Sequence, residues 1–145
     1  METQTVVLEK QTNIELIQQA FADFAKGDFE AIVEKCTDDV IWGSYENPKV
    51  PYAGTFKGKD GVLLFFKTLT GSIDYTEFIP REFYSDDKRD IVFVRGYHAG
   101  KVKLTGKTFG HEWLMEFRLR DGKTHSFFAF VDSADQGQAF AEDLN

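Results

Sequence analysis

Three residues in the second half of the chain, His98, His111 and Asp132, are of the types that move protons. A neutral imidazole beside a carboxylate in apolar surroundings is a workable acid–base pair, because burial and a nearby charge tune its pKa. Each residue also has a plainer reading. His98 can satisfy itself on a backbone carbonyl, His111 can lie at a wet rim, and Asp132, followed by Ser133, suits the N-cap of a last helix. Ser44 can donate a hydrogen bond, but no sharp nucleophile turn surrounds it, so a Ser44–His98–Asp132 triad lacks its usual setting. Cys36 sits on an apolar helical stripe and reads as a packing thiol rather than a nucleophile. His111-Glu112-Trp113 is not the helical H-E-x-x-H motif, since strand neighbours point to opposite faces. A facial metal triad of His98, His111 and Asp132 would need convergent registers, and no metal is expected. The glycines between Gly54 and Gly61 lack the phosphate-cradling fingerprint, and no cofactor is expected.

The elements that must position these residues follow from periodicity and punctuation. Thr12-Asn13-Ile14-Glu15 has the capping-box pattern and predicts a helix start, with Ile14, Ile17, Phe21 and Phe24 at helical spacing. Gly27 ends that helix, and Asp28 caps a second with the stripe Phe29, Ile32, Val33 and Cys36. A strand is predicted from Val40 to Tyr45, then a loop punctuated by Pro48, Pro51 and Gly54. Asp60 is read as the cap of a third helix carrying Val62, Leu63, Phe65, Phe66 and Leu69. From Ile73 onward the pattern is strands, with turns at 85–89, at Thr105-Gly106 and at Asp121-Gly122, and a short last helix over 134–142. Helices first and a strand meander afterward make an α+β domain over 12–145, preceded by a flexible arm over 1–11.

A two-residue turn at Asp121-Gly122 sets Arg120 opposite Lys123, and therefore Phe117 opposite Ser126, Met115 opposite Phe128 and Trp113 opposite Phe130. Trp113, Met115, Phe117, Phe128 and Phe130 then share the core face, because a one-residue slip would bury charges. A similar turn at Thr105-Gly106 puts His98 opposite Trp113 on that face, although Gly96 and Gly100 can each mark a bulge. Trp42 and Ser44 share a face of the first strand, Tyr52 lies at its mouth, and Phe65 or Phe66 reaches in from the third helix. Trp42 and Trp113 would clasp a flat apolar ligand; ordinary core packing is the competing reading for each of these residues.

Composition narrows the partners. A net charge of −7, with Lys and Arg scattered among acids, argues against nucleic acid. No apolar stretch is long enough for a membrane span. A lone cysteine fits a reducing, cytoplasmic setting. Fifteen phenylalanines in 145 residues suit a rigid apolar lining or a Phe-rich core.

With those elements placed, several segments resemble the SnoaL-like and ketosteroid isomerase-like members of the NTF2-like superfamily. Gly27-Asp28 is similar to the family's helix break, and Thr37-Asp38-Asp39-Val40-Ile41-Trp42 to the lead into its first strand. Gly54, Gly58 and Val62 match its spaced loop before the third helix, and Arg120-Asp121-Gly122-Lys123 its terminal hairpin. The resemblance implies a cone-shaped fold of three N-terminal helices on a curved antiparallel sheet, a pocket between them for a small apolar molecule, and a homodimer joined through the sheet. It also implies isomerase, cyclase or hydrolase chemistry on polyketide-, terpenoid- or steroid-like ligands. The residues depart from the isomerase pattern: Ser44 stands at the base carboxylate's position, Ala20 at the tyrosine, and Met115, or Glu116 after a bulge, at the donor acid. Two functions therefore stand open, an acid–base enzyme using His98 with Asp132 or His111, and a non-catalytic ligand-binding or scaffold protein.

Overall fold

The computed structural model describes residues 11–143, so the expected N-terminal arm lies, but for residue 11, outside the described residues. Helix α1 (Asn13–Ala25) starts on the anticipated capping box, with Thr12 accepting from the Glu15 N–H and Glu15 returning the bond. Asp28 caps α2 (Phe29–Glu34). Cys36 does not extend α2 but opens β1 (Cys36–Ser44). It is nevertheless buried, its Sγ–H donating to the Ile32 carbonyl at 3.4 Å, and burial pushes the thiol up to about 11. A short β2 (Thr55–Lys57) precedes α3 (Gly58–Ser72), which begins two residues before the expected cap at Asp60; Lys57 is the N-cap and Asp60 lies in the first turn.

Four longer elements complete the chain: β3 (Ile73–Asp86), β4 (Ile91–Val102), β5 (Thr108–Arg120) and β6 (Lys123–Phe130), followed by α4 (Ser133–Phe140). The sheet order is β2-β1-β6-β5-β4-β3. It is antiparallel except where β1 runs parallel to β6, a pairing that the long connection through β2, α3 and β3 to β5 permits. No helix among the described residues is long and apolar enough to cross a membrane.

Two one-residue bulges in β3 bend the sheet, one beside Gly100 and one beside Gly96. Each switches which side chains face inward, so Tyr75, Phe78 and Phe83 all reach the core although their spacings are odd. Gly96 is needed for a second reason: a Cβ there would collide with the Trp113 indole and lie 2.5 Å from the Ile79 carbonyl oxygen. Pro80 is tolerated because β3 is an edge strand.

The hairpin registers differ from expectation in two instructive ways. The β4–β5 turn spans Lys103–Gly106, closed by the Val102 N–H on the Lys107 carbonyl at 2.9 Å. Four turn residues instead of two slide the pairing by two positions, which preserves the faces but sets Gly96 opposite Trp113 and His98 opposite His111. The β5–β6 hairpin begins as expected, Arg120 opposite Lys123, and then takes up one extra residue at His125. Beyond that bulge Phe117 faces Phe127 and Met115 faces Ala129. Phe127 and Ala129 therefore point inward, and Phe128 and Phe130 are on the outer face, where both pack on Tyr45.

Candidate active site

Between α1, α3 and the concave face of the sheet lies a cavity of about 90 Å³ whose wall carries no Asp, Glu, Lys or Arg among the described residues. Its lining is mostly aromatic: Phe21 and Phe24 from α1, Phe65 and Phe66 from α3, and Trp42, Phe78, Phe117 and Phe127 from the sheet. Trp42 stacks on Phe127 at 4.1 Å between ring centroids. Of the residues expected in the pocket, Trp42, Ser44, Tyr52, Phe65, Met115 and Phe117 line it. Phe128 and Phe130 do not, because the His125 bulge turns them outward. Trp113 is also behind the wall, only 2% exposed and stacked on Phe21 and Phe78, so the two tryptophans do not clasp one space. Met115, not Glu116, faces inward; Glu116 pairs with Arg118 at 2.6 Å.

Polar groups reach this greasy wall at few points. In the loop after β1, buried Tyr52 lines the cavity and accepts a hydrogen bond from Gln136 Nε2 of α4 at 2.6 Å. Asn47 Nδ2 donates to the Ser133 carbonyl and ties the same loop to the start of α4. Burial raises the phenol pKa of both Tyr52 and Tyr75, so each remains an O–H donor at any ordinary pH.

The one imidazole on the wall is His98, which is 3% exposed. Its Nε2 lies 2.9 Å from His111 Nε2, and His111 Nδ1 lies 2.8 Å from Asp135 Oδ2. The same carboxylate oxygen accepts the Gly110 N–H at 3.0 Å. Asp132, expected as the carboxylate partner, instead caps α4 by accepting the Asp135 N–H at 3.0 Å. It thereby holds the residue that does meet the histidine. Sequence reasoning missed Asp135, whose position three residues beyond a helix cap was the available signal; its contact depends on α4 folding back across β5.

Protonation follows from hydrogen-bond logic. Burial pushes the Asp135 carboxyl up, but bonds from His111 and Gly110 and the imidazole charges outweigh it, and the pKa falls below the ordinary carboxylate value. Ionised Asp135 accepts His111 Nδ1–H, which leaves His111 Nε2 as a lone pair. That lone pair accepts from His98 Nε2–H. His98 Nδ1 is then a bare lone pair, buried and without a partner in the protein. Burial first, and His111 second, lower the His98 pKa to about 3, with Asp135 pulling the other way.

Among curated proteins, no sequence matches the chain. Solved structures do. An NTF2-like protein from Burkholderia xenovorans LB400 is 25% identical with a TM-score of 0.78, the match covering 89% of this chain and 95% of that one. An NTF2-like protein from Burkholderia thailandensis E264 is 24% identical with a TM-score of 0.81, over 91% and 99%. TerC, co-crystallised with polyporic acid, is 27% identical with a TM-score of 0.75, over 88% and 97%. In sequence, residues 17–126 match the family described as the SnoaL-like domain. With three-quarters of its length matched and its fold shared with NTF2-like structures over 89% and 91% of the chain, the chain belongs to the SnoaL-like family.

Proposed function

We propose that the protein is an acid–base enzyme, of the isomerase, cyclase or hydrolase kind, acting on a small uncharged apolar molecule with its own side chains. The observation that carries this reading is that His98, on a cavity wall free of charged groups, keeps its Nδ1 buried and without a partner in the protein. Most buried polar atoms in a packed core find a partner, so an unpaired imidazole nitrogen calls for a reason. His98 Nδ1 removes a proton from a C–H beside a carbonyl or from a hydroxyl. The Tyr52 and Tyr75 hydroxyls, kept protonated by burial, are the donors available to the oxyanion that develops. A cavity of about 90 Å³ has room for roughly six waters, which favours one- and two-ring ligands over a steroid skeleton. TerC, crystallised with polyporic acid, supports a small organic ligand in this fold.

The test uses 1-indanone, a two-ring ketone with exchangeable α-hydrogens. The protein should accelerate their exchange into deuterated water, and His98→Gln should lower that rate by about 100-fold or more. Binding of 1-indanone without any acceleration would favour the non-catalytic carrier.

The outer face supports the homodimer. Tyr45 is 63% and Phe130 37% exposed, and with Phe128 they form an apolar cluster on the convex side of the sheet. Sedimentation should give a dimer for the native chain and a monomer for Phe130→Glu; a native monomer at micromolar concentration rules the dimer out.

A further inference from the structure

We infer that His98, His111 and Asp135 form a proton relay, in which a proton accepted at His98 Nδ1 is stored on His111, one residue removed from the cavity. This rests on the reading of His98 as the proton acceptor of the pocket, and it deepens that reading by saying where the charge goes.

The geometry supplies an unbroken path. His98 Nδ1 is free, His98 Nε2 and His111 Nε2 are 2.9 Å apart, and His111 Nδ1 is 2.8 Å from an ionised carboxylate. In the forward step the substrate's C–H or O–H bond breaks and its proton bonds to His98 Nδ1. The Nε2–H proton of His98 passes to His111 Nε2 at the same time. His98 ends neutral, protonated at Nδ1 and bare at Nε2. His111 ends as imidazolium, and Asp135 stays ionised throughout. The reverse transfer returns one proton from Nδ1 to a different atom of the substrate, which balances an isomerisation with no other reactant.

Two physical reasons favour storage on His111. A cation on His98 would sit in a wall of aromatic carbon, and the pKa of about 3 expresses that cost. A cation on His111 sits against the Asp135 carboxylate, whose side chain is 35% exposed to solvent. The titratable groups around the relay are few. β3 presents Tyr75, its ring centroid 5.6 Å from that of His98, and burial keeps it neutral. β4 and β5 present the two imidazoles, α4 presents Asp135 with Asp132 at the cap, and α1 presents only Phe21 and Phe24 to the cavity beside Ala20.

Nitrogen-15 NMR of the free protein reads the relay without a substrate. At neutral pH His98 should show the Nε2–H tautomer and His111 the Nδ1–H tautomer. On acidification the first proton should make His111 imidazolium while His98 switches to the Nδ1–H tautomer. Asp135→Asn keeps an oxygen for the His111 and Gly110 N–H groups but loses the charge, so the switch should move to lower pH, and Asp135→Glu should bring it part of the way back. A His98 that becomes imidazolium itself, or keeps Nε2–H while His111 charges, overturns the relay, as does a switch unmoved in Asp135→Asn. p-Nitrophenol adds an optical probe: below the ionisation range of the free phenol, the native protein should bind it as the yellow anion and Asp135→Asn as the colourless phenol. Failure of p-nitrophenol to bind counts against the pocket reading, while the tautomer switch still decides the relay.

Discussion

Trp113→Ala is expected to lower the unfolding free energy by about 3–5 kcal/mol, the range for removing a large aromatic from a packed core. The indole is 2% exposed, stacked on Phe78 at 5.3 Å and on Phe21 at 6.0 Å, and it lies over the glycine at position 96. Its Nε1 has no partner in the protein, so truncation orphans no hydrogen bond and the loss is one of packing. Small domains hold only about 5–15 kcal/mol in total, so this single change consumes a large share. Because Phe21 and Phe78 are themselves cavity wall, the variant should also lose ligand selectivity. Gly96→Ala presses on the same indole from the other side. In the double variant the alanine methyl should be partly accommodated by the space the indole leaves, so the two losses should sum to less than their parts. The Ile79 carbonyl, 2.5 Å from the added carbon, still keeps the rescue incomplete. Urea unfolding measures all three variants, and a Trp113→Ala loss under about 1 kcal/mol would refute the structural role assigned to Trp113.

Acid should destabilise the fold well before its carboxylates titrate. His98 is held neutral with its pKa lowered from 6.5 to about 3, so below 6.5 the unfolded chain binds a proton that the folded site refuses. The stability is therefore fully present above 6.5 and is lost as pH falls toward 3. The slope is about 1.36 kcal/mol per pH unit and the ceiling about 5 kcal/mol. A relay that accepts one proton on His111 leaves this difference intact, because the unfolded chain protonates both histidines and the folded one only one. Asp135 adds a second limb of the same direction at lower pH, since its depressed pKa stabilises the fold only while the carboxylate is ionised. His98→Gln can still donate to His111 Nε2 and should remove the upper limb while sparing the lower. Unfolding midpoints measured across pH should show the native protein losing stability relative to the variant as pH falls below 6.5. Curves that remain parallel from neutrality downward would contradict a neutral, buried His98.

What the chain makes legible from its letters is local chemistry and alternation. Thr12 and Glu15 name their own helix start, Asp121-Gly122 names its turn, and the parity of β4 and β5 places His98, Met115 and Phe117 inward without coordinates. What escapes is anything decided by counting across an irregularity. Two additional turn residues between β4 and β5 convert a His98–Trp113 neighbourhood into a His98–His111 pair. One residue at His125 exchanges Phe128 and Phe130 for Phe127 and Ala129. The Asp135 contact is further out of reach, because it depends on where a short terminal helix lands rather than on any spacing within a strand.

The His125 bulge has an evolutionary consequence. Upstream of it β6 is anchored by Thr124 against Leu119, and downstream the strand alternates freely to Phe130. Losing that single codon would leave an unbroken ladder, with Thr124 still opposite Leu119, Ser126 opposite Arg118 and Phe127 opposite Phe117. Phe127 and Ala129 would stay on the cavity side with Phe117 and Met115, and Phe128 and Phe130 would stay on the convex side. The hairpin is thus buffered against a change of length at this point, and a lineage can drop or regain the residue without disturbing which side chains line the cavity.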